Sequence, residues 1–174
     1  MLKTVTAFLL ASVLVSAVQA STYGIYVTPE TKGYSMDVFD QKTISGPFGG
    51  FVYIAMCDTW SEVYAGPTFA PAKWIELGLG VGFEVADDPG RLGGYVWLGH
   101  GNLSFTYLFE DGGSGPWHKA RVDYRLTDRL TVGLLEKRET GKGFSVGYAL
   151  DKKTKLGLEA YENKPIRLSL SVSF

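Results

Sequence analysis

Between Trp74 and Ala86 the chain alternates. Ile75, Leu77, Leu79, Val81, Phe83 and Val85 share one parity, and Glu76, Gly78, Gly80, Gly82 and Glu84 share the other. A period of two sends successive side chains to opposite faces of a strand, whereas a helix would scatter the same residues around its circumference. Four further segments repeat the pattern. Leu103, Phe105, Tyr107 and Phe109 alternate with Ser104, Thr106 and Leu108, and Ala120, Val122, Tyr124 and Leu126 alternate with Lys119, Arg121, Asp123 and Arg125. Phe144, Val146, Tyr148 and Leu150 alternate with Ser145, Gly147 and Ala149. Ile166, Leu168, Leu170, Val172 and Phe174 alternate with Arg167, Ser169, Ser171 and Ser173. The chain therefore reads as all-β, and its 22 glycines in 174 residues suit tight turns between many strands.

Turn-forming residues divide the chain at Pro29–Gly33, Lys42–Pro47, Asp58–Glu62, Ala70–Lys73, Asp87–Arg91, Gly99–Asn102, Asp111–Pro116, Thr127–Arg129, Arg138–Lys142, Asp151–Thr154 and Asn163–Pro165. These breaks predict twelve strands. Tyr23 to Phe69 alternates poorly, so counts of eight or ten stay open. Each strand with its turn has about thirteen residues, enough for a tilted bilayer crossing of about 9–11. Nothing in residues 21–174 looks like a linker or a second domain.

Met1 to Ala20 has a different character. Lys3 precedes an apolar run from Val5 to Val15, and Val18 and Ala20 place small residues before Ser21. This is a secretory signal pattern, with an apolar run too short to span a bilayer. No cysteine follows the expected cleavage position, which argues against a lipid anchor. Cys57 is the only cysteine, so an intrachain disulfide is excluded and a thiolate metal site lacks ligands. With His100 and His118 as the only histidines, a histidine zinc site is equally short. A net charge of −1 leaves no basic excess for nucleic acid.

Alternation does not say which face is lipid. A soluble carrier of lipocalin type also alternates, with its apolar side inward. Here the polar parity is rich in Gly, Ser and Ala, which suits a crowded concave interior. The apolar parity carries no charge along Ile75–Val85 or Ile166–Phe174, as a lipid face requires. The expectation is a closed antiparallel up-and-down transmembrane barrel in contact with outer-membrane lipid.

The last segment adds an independent sign. Ile166, Leu168, Leu170, Val172 and the final Phe174 resemble the terminal strand of bacterial outer-membrane β-barrel proteins. That resemblance implies a membrane-assembly signal read by the outer-membrane assembly machinery, and location in the outer membrane after export. It also implies interfacial girdles, for which Trp60, Trp74, Trp97, Trp117, Tyr23 and Tyr161 are candidates. With Phe174 periplasmic, Gly99–Asn102, Thr127–Arg129 and Asp151–Thr154 become periplasmic turns. Asp87–Arg91, Glu110–Pro116, Glu136–Lys142 and Asn163–Pro165 become outer loops.

The inward parity carries the candidate chemistry: Glu76, Glu84, Lys119, Arg121, Asp123, Arg125, Lys155, Glu159 and Arg167. Mixed signs in one lumen fit a narrow pore or a network of ion pairs that fills it. Gly78, Gly80 and Gly82 either leave the wall bare or receive bulky side chains. A lipid-acting hydrolase would need His100, Asn102 and Ser104 to cooperate, but Gly99–Asn102 reads as a turn. Asp87-Asp88-Pro89-Gly90 lacks the further ligands of a calcium site. No catalytic residue, metal site or cofactor is assigned, and a narrow pore or passive structural membrane protein is expected.

Overall fold

The computed structural model describes residues 22–28, 33–57 and 59–173. The signal segment Met1–Ala20, the terminal Phe174, most of the first predicted break and Asp58 lie outside the described residues. Among those described, the strands are β1 (Thr22–Thr28), β2 (Gly33–Ser45), β3 (Phe48–Cys57), β4 (Ser61–Ala72), β5 (Ile75–Glu84) and β6 (Gly90–His100). The second half holds β7 (Leu103–Gly112), β8 (Trp117–Arg125), β9 (Leu130–Lys137), β10 (Gly141–Ala149), β11 (Thr154–Tyr161) and β12 (Lys164–Ser173). The architecture is an all-β, antiparallel, up-and-down sheet. Each strand pairs with the next in sequence, and β1 pairs with β2 along one edge and with β12 along the other.

Hairpins dominate because the turns are short. His100 pairs with Leu103, so only Gly101 and Asn102 connect β6 to β7. Gly101 takes φ of 59°, a left-handed geometry that a Cβ disfavours. The connection after β5 is longer, as is the one after β7.

Side-chain contacts between strands that are not neighbours identify the inner face. Gln41 of β2 reaches Glu76 of β5, Arg91 of β6 reaches Glu62 of β4, and Lys119 of β8 reaches Glu159 of β11. Such contacts span only the concave side of a curled sheet. The opposite face is apolar and open. Leu79, Val81, Phe83 and Leu134 are 52%, 70%, 66% and 68% exposed. Leu168 and Leu170 lie on the same outer side, while Gly78, Gly80 and Gly82 are buried. The greasy parity of β5 and β12 thus faces out, and the alternative of a soluble carrier with its apolar side inward does not hold for these strands.

Candidate pore lining

The inner face has two unlike halves. Along β2–β6 it is filled by rings. Phe51 of β3, Tyr64 of β4 and Tyr95 of β6 are buried, with Phe39, Tyr53, Trp97 and Leu108 packed against them. Phe51 and Tyr95 meet edge-on at 5.4 Å, and Phe39 meets Tyr95 edge-on at 5.7 Å. Edge-to-face pairs of this kind contribute about 0.5–1.5 kcal/mol beyond the area they bury. Beneath these rings the middle of β5 is bare, because its inward residues between Glu76 and Glu84 are Gly78, Gly80 and Gly82.

A charged cluster tops the rings, where β4 and β6 begin and β5 and β7 end. The Arg91 guanidinium, 1% exposed, donates to Glu84 at 2.8 Å, to Glu110 at 3.1 Å and to the Tyr64 hydroxyl oxygen at 2.5 Å. Glu62 lies 3.6 Å from the same guanidinium, and its Oε2 has no hydrogen-bond partner among the described residues. Glu84 also accepts from the Trp60 indole at 2.9 Å and from the Ser114 amide at 2.8 Å. This ties the connection after β7 into the mouth. Toward the other end, Glu76 accepts from the Tyr95 hydroxyl and from the Gln41 amide, each at 2.5 Å.

The other half, β8–β12, is polar. Glu159 is its hub. It accepts from Lys119 at 3.0 Å and Arg121 at 3.3 Å, and the Tyr161 hydroxyl donates to it at 3.0 Å. Arg167 approaches at 3.9 Å, and Arg121 also pairs with Asp123 at 2.6 Å. Lys119 and Lys137 stand directly opposite each other on β8 and β9, like charges that repel unless something anionic sits between them. The Lys137 ammonium lies 5.4 Å over the Trp117 ring.

A cavity of about 970 Å³ lies beside the rings. Lys119, Arg121, Lys137 and Arg167 line it, together with Asp37, Glu76 and Trp97. A second space of about 70 Å³ is lined by Arg121, Lys155, Glu159 and serines of β10 and β12. Both signs line the larger cavity: Asp37, Glu62, Glu76, Glu110 and Glu139 stand with Arg91, Lys119, Arg121, Lys137 and Arg167. Side chains of Lys119, Arg121 and Arg167 are 17%, 25% and 21% exposed, whereas those of Glu62, Glu84, Glu110 and Glu159 are 3%, 0%, 10% and 5%. Asp123, at 20%, is as open as these cations, whereas Glu62, Glu84 and Glu159 lie behind their partners.

Of the residues singled out in the sequence, Glu76, Lys119, Arg121 and Arg167 line the larger cavity, and Lys155 and Glu159 the smaller. Glu84 lies inside the Arg91 cluster, and Asp123 is held by Arg121. Arg125 stands apart: it is exposed and donates to the Asn102 side chain at the hairpin after β6. Ile166, Leu168 and Leu170 occupy the outer face. His100, Asn102 and Ser104 form no hydrogen bonds with one another among the described residues, and Asn102 is engaged by Arg125.

Four of the girdle candidates require correction. Trp60, Trp97, Trp117 and Tyr161 turn inward, to Glu84, the aromatic cluster, the cavity and Glu159. Trp74 stays exposed. Glu62 and Arg91 were hidden inside predicted breaks, and Glu110 and Lys137 inside predicted outer loops. In the structure each belongs to a strand and points inward.

No protein-family model matches the sequence, and neither does any curated protein. Solved structures do match in fold. The chain is similar to the KdgM porin, with a TM-score of 0.59, 13% identity, and coverage of 89% of this chain and 99% of that one. It is similar to the KdgM porin in complex with disordered oligogalacturonate, at 0.61 and 14%, again covering 89% and 99%. A rhombohedral crystal form of the NanC porin gives 0.55 and 13%, with the same coverage. The fold is thus that of bacterial porins.

Proposed function

We propose that this chain is an outer-membrane β-barrel, closed through the β1–β12 pairing as twelve strands, that passes small anionic solutes through a narrow aqueous lumen. Residues 1–20 direct export, the C-terminal strand serves assembly, and the short turns after β2, β4, β6, β8 and β10 face the periplasm. The observation that carries the reading is the cavity of about 970 Å³ beneath an apolar outer wall, with Lys119, Arg121, Lys137 and Arg167 facing it. Lys119, Arg121 and Arg167 gathered round the nearly covered Glu159 carboxylate lower the barrier for anions along that side of the lumen. That a KdgM porin has been seen with oligogalacturonate, a polyanion, agrees with a porin fold admitting such solutes.

The test is reversal potential in planar bilayers under a KCl gradient. Wild-type protein gives a potential of anion-selective sign, and Arg121→Gln with Arg167→Gln moves it toward zero. A cation-selective sign, or a double variant indistinguishable from wild type, contradicts the reading.

A further inference from the structure

The inward glycines of β5 and β6 are seats for rings. A Cβ at Gly80 would stand 2.8 Å from Phe51 Cζ, and one at Gly93 would stand 2.8 Å from Tyr64 Cε1. A Cβ at Gly78 would overlap the Tyr95 ring. Each ring therefore lies against bare backbone, deeper in the wall than any other residue at that position would allow. The rings are also fastened. Tyr95 is held through its hydroxyl by Glu76, and Tyr64 by Arg91. Phe51 is clamped between Phe39 and Tyr95. None can swing freely, so together they form a fixed column against the wall, and through Tyr95 and the Phe39, Tyr53 and Trp97 rings packed on it the column borders the open space.

We propose that this column of Phe51, Tyr64 and Tyr95, seated on Gly78, Gly80 and Gly93, is the size-limiting element of the lumen. Solutes then pass between the aromatic cluster and the side chains of β8, β9 and β12 that line the same cavity. The bore is set by how deeply the rings sit rather than by strand number alone. This inference rests on the pore reading above.

Two variants push in opposite directions. Phe51→Ala removes a ring that makes no polar contact. It is expected to raise single-channel conductance by about 1.5- to 2-fold and to admit larger neutral sugars in liposome swelling. Gly80→Ala pushes the Phe51 ring toward the space and is expected to lower conductance by a similar factor. Leu79→Ala, on the outer wall, is expected to change neither. Heat-modifiable gel migration identifies the variants that have folded. A folded Phe51→Ala barrel with wild-type conductance and sugar cut-off overturns the column as the filter and leaves the pore standing. A folded Gly80→Ala barrel with undiminished conductance overturns the seating of the rings. A silent wild type that Phe51→Ala opens overturns the open-pore reading while supporting the column as the obstruction. Silence of wild type and variants alike overturns both.

Discussion

Arg91 is one guanidinium among three carboxylates, nearly all of it out of water. Such a group is stabilising only while its partners are present, because removing it leaves buried negative charge. Arg91→Met is expected to cost about 3–5 kcal/mol, read as a lower urea midpoint for the barrel in lipid vesicles. A loss below about 1 kcal/mol would show that the carboxylates do not depend on it. Asp151, in the turn between β10 and β11, illustrates the opposite situation. It is exposed, and its carboxylate accepts from the Lys153 and Thr154 amides, each at 2.7 Å. These amides, Lys153 first, hold its pKa below the ordinary 3.8. The contribution to the turn is present above the unfolded pKa and is lost as pH falls through the lower folded value. Carboxyl NMR is expected to place the Asp151 midpoint below 3.8. A midpoint at or above it would mean that the two amide bonds are not maintained in solution.

Among the strands, legibility follows what the inner face is made of. On β5 the inner residues are glycines and two glutamates, so the apolar outer parity stands out in the sequence. On β2–β4 the inner face carries Phe39, Phe51, Tyr53 and Tyr64, while Gly50, Ala65 and Pro67 share the outer parity. Both faces then read alike and the alternation fades. The glycines that sharpen one strand exist because the rings that blur its neighbours need seats. Trp97, Trp117 and Tyr161 were nonetheless within reach of parity. Trp97 pairs directly with Glu76, and Trp117 and Tyr161 stand two residues from Lys119 and Glu159. The Arg91 cluster was beyond reach, since its members come from four strands and lie near strand ends, where turn chemistry and strand chemistry overlap. At this scale the lipid face of β5 is directly testable. Leu79→Arg is expected to destabilise the barrel in vesicles by about 2–4 kcal/mol. A change near zero would place Leu79 in water.

Taken whole, the molecule joins a greasy exterior to an interior that is half solid and half open. The solid half is aromatic and capped at both ends by charged or hydrogen-bonded groups. In the open half, Lys119, Arg121 and Arg167 gather round the nearly covered Glu159 carboxylate. The single most direct measurement is a cysteine scan along β8 in a Cys57→Ser background, reconstituted in vesicles and exposed to a charged, membrane-impermeant thiol reagent. Positions 119, 121 and 123 are expected to label and positions 120, 122 and 124 to stay protected, in strict alternation. Uniform labelling, or labelling of the even positions alone, would place the apolar parity in water and contradict a lipid-facing wall around an aqueous lumen.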